Sequence, residues 1–189
     1  MAEPRNQDSV LLIVAAFSRH DAALAWGRAE LERLFGPVAL ASIPFAFSET
    51  EYYEATMGPG LLKQFVAFRD LVRPEALAPI KLQTNVLESQ LAELGLFPEV
   101  RPLNLDPGIL TLGKFLLATT KDQQHRIYLR DGIFAEVTLR FQFGAFEPWP
   151  WTYADYRRPE VHAFLQSART YYRDRVKSVR GSDTTRPEA

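Results

Sequence analysis

The chain has 189 residues, 47% of them hydrophobic, with 22 Lys and Arg against 23 Asp and Glu. That is one domain's length with ample material for a core, and the near-zero net charge argues against a general nucleic-acid binder, which would carry a basic face. The absence of Cys excludes disulfides, thiolate metal sites and cysteine nucleophiles.

Residues 1–9 are polar and lack the basic start and apolar stretch of a signal peptide, and no apolar run is long enough to span a bilayer, so a cytoplasmic protein without a membrane partner is expected. Residues 10–17 form a continuous β-branched and apolar run, the pattern of a buried strand. Ser18 and Asp21 suit a helix start, and Leu24, Leu31 and Phe35 recur on one face before Gly36-Pro37 stops the helix. Residues 38–47 read as extended, with Pro44 opposing a central ladder position. Residues 48–60 read as a loop carrying Glu49, Glu51, Tyr52, Tyr53 and Glu54.

Leu61, Phe65 and Phe68 suggest helical spacing over residues 61–71. Pro79 opens a helix to about Leu94, with Gly95 as its stop. On it Ile80, Thr84, Leu87, Leu91 and Leu94 share one face, and Lys81, Asn85 and Glu88 the next. After a short strand at 103–105, Asp106-Pro107-Gly108 reads as a turn and residues 109–119 are assigned to a helix. Residues 126–130 and 133–143 form a hairpin through Asp131-Gly132. Trp149-Pro150-Trp151 interrupts regular structure, and Pro159 opens a last helix to about Val179. The expected fold is a single α+β domain over residues 10–179, a mixed sheet flanked by helices, with a late β-hairpin, a C-terminal helix, and disordered tails at 1–9 and 180–189.

Several motifs bear on chemistry. Residues 108–114 match the first seven positions of a phosphate loop, but Phe115 stands where Ser or Thr must ligate Mg²⁺. A turn with a packed helix is the favoured reading there, and a GTP site the lesser alternative. His125 is the one His among polar residues in a structured region; the hairpin register places it opposite Thr138 and diagonal to Glu136, either an acid–base pair or a surface cross-strand pair. Trp149, Trp151, Tyr153, Tyr156, Arg157 and Arg158 either form a stacking surface for a base or sugar or anchor the C-terminal segment. His20, His125 and His162 lack ligand spacing, so no metal site is assigned, and no cofactor either.

Five blocks in fixed order carry a family resemblance: Ile80-Lys81-Leu82 with Thr84-Asn85 and Leu87-Glu88; Asn104 to Gly108; Leu117 to Asp122 with His125 to Leu129; Gly132 to Leu139; and Pro150 to Tyr153 with Asp155-Tyr156-Arg157. Over residues 10–178 the chain resembles the prokaryotic family catalogued as domain of unknown function 4416. The resemblance implies a stand-alone bacterial or archaeal protein and supplies no activity. Its polar positions imply a ligand site, with a buried ion-pair network as the competitor. The expected catalytic set is His125, Glu136 and Asp106, and the expected ligand-binding set is Lys81, Asn85, Glu88, Asn104, Lys121, Asp122, Arg126, Tyr153 and Arg157. The expected ligand is a small polar or anionic metabolite or a nucleotide, with binding alone or binding with turnover both open; the rival is an interaction protein without such a site, and oligomeric state is left open.

Overall fold

The computed structural model describes residue 3 and residues 7–183. Its strands are β1 (Leu11–Ser18), β2 (Val38–Ala41), β3 (Phe45–Phe47), β4 (Leu61–Phe68), β5 (Asn104–Leu110), β6 (Lys114–Thr119), β7 (Ile127–Arg130), β8 (Ile133–Gln142) and β9 (Ala145–Pro148). Its helices are α1 (Asp21–Phe35), α2 (Glu54–Met57), α3 (Leu77–Glu93) and α4 (Pro159–Asp183). The fold is a single α+β domain around one nine-stranded sheet in the order β2-β4-β1-β5-β6-β8-β7, with β3 on β4 and β9 on β8.

Every strand pairing among the described residues is antiparallel, which corrects the expected mixed sheet. β1, α1 and β2 do form a strand–helix–strand unit, but β4 inserts between the two strands and pairs antiparallel with each. β1 is buried along its whole length because both sheet faces are covered. Leu12, Val14 and Ala16 pack with Leu24 and Leu31 of α1 and Ile80 and Leu87 of α3. Leu11, Ile13 and Ala15 pack with Val161, Leu165 and Ala168 of α4.

Double coverage also explains the two segments misread as helix. In β4, Phe65 and Ala67 join the cluster under α4, while Val66 and Phe68 join the one under α1 and α3. A strand buried on both faces has no period of two, so its apolar run imitates a helix. Residues 109–119 likewise form the end of β5, a turn and β6, not a helix. Asp106, Pro107 and Gly108 lie inside β5 rather than in a turn. The smaller differences are local. Ser18 is not the cap of α1; its hydroxyl donates to the Pro102 carbonyl and accepts from the His20 amide, and the helix begins two residues later than expected. Leu94 lies past the end of α3 and is exposed. α4 runs to Asp183, past the expected end at Val179; the remainder of the expected tails, residues 1, 2, 4–6 and 184–189, lies outside the described residues.

The β7–β8 hairpin forms through Asp131 and Gly132, both at positive φ as a type I′ turn requires. A second tight turn at Phe143 and Gly144, also both at positive φ, adds β9. The β5–β6 ladder is short. It runs from Leu110↔Phe115 to Gly108↔Leu117 and stops where Pro107, with no N–H to donate, comes next. Beyond that point the two strands part, and the interior opens.

Gly108 closes the narrow end of this gap. A Cβ there would lie 2.3 Å from the Leu116 carbonyl oxygen and 2.7 Å from the Phe115 ring. Neither the backbone oxygen nor the buried ring can yield cheaply, so Gly108→Ala should destabilise the fold by about 2–3 kcal/mol, the upper end of overpacking costs. Urea denaturation checks this; a change below about 0.5 kcal/mol, the scale of surface substitutions, would show that the strands can separate freely.

Candidate functional site

A cavity of about 470 Å³ opens where β5 and β6 part. Its walls come from both sides of the sheet: Lys81 and Asn85 from α3, Lys63 from β4, and Tyr156 from the cluster under α4. Residues 49–53 cover part of it through Glu49, Thr50, Tyr52 and Tyr53, and the segment after β6 contributes Thr120, Lys121 and Gln123.

On the α3 side Lys81 is buried and points its ammonium at the sheet. Its Nζ donates to the Leu105 carbonyl at 2.8 Å and lies 3.2 Å from Asp106 Oδ1. The Asn104 amide donates to Asp106 Oδ2 at 2.8 Å. Behind this pair, Arg101 binds Glu88 at 2.7 Å and the Asn104 side-chain oxygen, and Glu88 accepts from the Leu105 amide at 2.8 Å. Burial pushes the Asp106 carboxyl up, but the charges of Lys81 and Lys63 and the hydrogen bonds from Lys81 and Asn104 outweigh it. The group is held ionised below the ordinary Asp range. Its side chain keeps 27% of its surface accessible, and the cavity it lines supplies that access. Glu88 goes the other way: burial dominates Lys81 and Arg101 and raises it.

The opposite wall is centred on Lys63. Its Nζ lies 2.6 Å from Asp155 Oδ2, and the side-chain exposures are 4% and 5%. The rings of Tyr156, Phe47, Phe17 and Phe65 surround the ammonium at 4.6, 4.9, 5.2 and 5.5 Å. Tyr156 is 2% exposed, and its hydroxyl has no hydrogen-bond partner among the described residues. Burial, reinforced by Asp155 and Asp106, pushes this hydroxyl well above the usual tyrosine range, so it stays a neutral donor.

Glu136 forms the third wall and is held by three groups. Its Oε2 accepts from Arg126 Nε at 2.9 Å and lies 3.2 Å from His125 Nε2; its Oε1 accepts from the Thr138 hydroxyl at 3.2 Å. Arg126 is fixed further by the Lys121 carbonyl at 2.9 Å and the Tyr153 hydroxyl at 2.6 Å. The expected meeting of His125 and Glu136 therefore occurs, but by another route. A bulge between Tyr128 and Arg130 shifts the hairpin register by one residue, and His125 lies before β7 begins. It reaches Glu136 from the loop.

Of the residues singled out in the sequence, Lys81, Asn85, Asn104, Asp106, Lys121, Glu136 and Tyr153 line the cavity, and Glu88, Asp122, His125, Arg126 and Arg157 do not. Asp122 is exposed on the loop before β7. Arg157 donates to the Thr152, Trp149 and Pro150 carbonyls, which anchors this segment. Trp149 and Trp151 stack on one another at 5.2 Å, and His125 stacks on Trp151 at 5.1 Å. The sequence offers Tyr156 only as part of a stacking surface and does not single out Lys63 or Asp155 as site residues, and all three line the cavity. A single Lys among Leu61, Phe65 and Ala67 was a legible signal only once the segment was read as a strand. Residues 108–114 form a strand end, a turn and a strand start with no helix after them, so the phosphate-loop architecture is absent from that segment. Among the described residues no group of three His, Asp or Glu side chains is placed to hold a metal ion, and no helix is long and apolar enough to cross a membrane.

A family model described as Domain of unknown function (DUF4416) matches residues 8–172. The chain belongs to that family. The match takes in β1 through most of α4, and so every wall of the cavity. No curated protein matches the chain, and no solved structure does. Membership in DUF4416 brings no activity with it, and the chemistry must be argued from the cavity.

Proposed function

We propose that this DUF4416 protein binds a small polar metabolite in the cavity between β5 and β6, and that its place of action is the cytoplasm. The observation that carries the reading is a polar cavity among whose lining residues is Tyr156, its hydroxyl buried and left without a partner. Buried polar groups are almost always satisfied, and one left open in a cavity marks where a ligand or water bonds. Asp106 is the group best suited to act on that ligand, because it is ionised and reachable from the cavity. It can accept a hydrogen bond from a ligand hydroxyl or serve as a base toward it, with Lys81 and Asn104 fixing its orientation. Lys121 stands at the mouth with its Nζ 4.0 Å from the Tyr52 ring centre.

A thermal-shift screen of the full chain against metabolites, nucleotides included, tests this. A ligand at one hundred times its Kd stabilises by about 2.7 kcal/mol, which in a chain of this size is roughly 5–11 °C. At least one compound should produce such a shift, and Asp106→Asn should reduce it. Silence across the library would favour the second reading, an interaction protein, for which the exposed Ile127, Tyr128 and Leu129 of edge strand β7 speak.

A further inference from the structure

The charges around the cavity come in opposed pairs. Lys63 meets Asp155 at 2.6 Å and Lys81 meets Asp106 at 3.2 Å. Arg101 is taken by Glu88, Glu136 by Arg126, and Glu49 by Arg158 at 2.9 Å. Of the lining cations, Lys121 alone makes no ion pair among the described residues, and it stands exposed at the mouth. An anion entering the cavity would give up its hydration and meet Asp106, Asp155 and Glu136 as closely as the cations beside them. The expectation of an anionic ligand rested on Lys121, His125 and Arg126, and the last two are committed to Glu136.

The uncommitted groups are neutral. The Tyr156 hydroxyl is unpartnered. The Asn85 amide and the Thr120 hydroxyl, both lining the cavity, carry no hydrogen bond to another described residue. Asp106 adds an acceptor, and Phe17, Phe47, Tyr52 and Tyr53 add apolar ring faces. Donors and acceptors interspersed with rings match a compound whose hydroxyls both donate and accept and whose C–H faces pack on aromatics.

From this balance, and resting on the ligand-binding reading above, we infer that the cavity takes an uncharged ligand bearing several hydroxyls, a sugar or the ribose of a nucleoside. Its binding does not depend on a phosphate. The Tyr156 hydroxyl and Asp106 hold it, and Lys121 adds little.

Calorimetry on the full chain with D-ribose, D-glucose, myo-inositol, adenosine and uridine, each beside its phosphorylated counterpart, tests this. At least one neutral compound should bind, its phosphate at least tenfold more weakly, and its Kd should change less than twofold between 50 and 500 mM salt. Binding by a free sugar assigns the site to sugars; binding by nucleosides alone assigns it to the ribose of a base-bearing ligand. Tyr156→Phe, which keeps the ring, should weaken binding about tenfold, one hydrogen bond's worth, without lowering Tm, while Lys114→Ala on the exposed start of β6 leaves it unchanged. A phosphate that binds more tightly than its neutral parent, or a Tyr156→Phe protein that binds as wild type does, overturns the inference and leaves the ligand-binding reading standing. Silence from every compound here overturns the inference; silence across the wider thermal-shift library overturns both.

Discussion

Lys63→Met should lower the stability of the protein by about 3–5 kcal/mol, the cost of breaking a buried ion pair from one side. The wild-type ammonium contacts Asp155 at 2.6 Å inside a cage of four aromatic rings. Methionine fits the cage as an apolar chain of similar length, so little packing is lost. What remains is the Asp155 carboxylate, almost sealed from bulk water, with its counter-charge gone. Domains of this size hold only about 5–15 kcal/mol in total, so the loss is a large share of it. Asp155→Leu alone should cost a similar amount, because it strands the ammonium instead. The double variant should recover most of the loss, since replacing a whole buried pair by apolar groups is often neutral. Urea denaturation of the four proteins gives the coupling energy directly. Single-variant losses below about 1 kcal/mol would mean that water in the cavity already solvates both charges.

Glu136→Gln should cost about as much, 3–5 kcal/mol, while His125→Ala should cost only about 1 kcal/mol. The asymmetry follows from what each change strands. Glu136 neutralises Arg126, whose side chain is 1% exposed, and the amide of Gln cannot supply that charge. Removing His125 leaves Glu136 with Arg126 and the Thr138 hydroxyl, both still in place. The loss is then the Trp151 stacking contact and one hydrogen bond. Denaturant midpoints of the two variants measure the difference. Equal losses would show that His125, not Arg126, is the principal partner of Glu136. A folded His125→Ala protein that binds ligand but no longer turns it over would restore the acid–base role for His125. Glu136 has three of its four lone-pair sites taken and its charge committed to Arg126, whereas Asp106 is ionised and reachable, which is why the proposed base is Asp106.

The features legible in the sequence were those fixed by neighbours along the chain. Residues 10–17 read as a buried strand, since eight apolar or small residues in succession leave no face for solvent and polar residues bound the run at strand length. Asp131-Gly132 specified a hairpin because few other dipeptides accept positive φ at both positions. Pro79 in the first turn and Gly95 just past the end marked α3, which begins two residues before Pro79, and the spacing of Lys81, Asn85 and Glu88 put those three polar groups on one side of it.

The tertiary structure decided the rest, because it depended on what covers each face. β4 and the 109–119 segment imitate helices since both sheet faces are buried, and only the packing of α1, α3 and α4 reveals that. Lys63 became a site residue when its strand alternation turned it inward against Asp155, 92 positions away. The charge balance of the cavity was equally hidden. Composition gives near-neutrality for the whole chain, but which cations are cancelled locally depends on pairs such as Lys81 with Asp106 and Arg126 with Glu136. The cavity itself exists because Pro107 ends a ladder that Gly108 holds tightly closed one residue earlier, and the strands of that ladder meet only after the chain has folded.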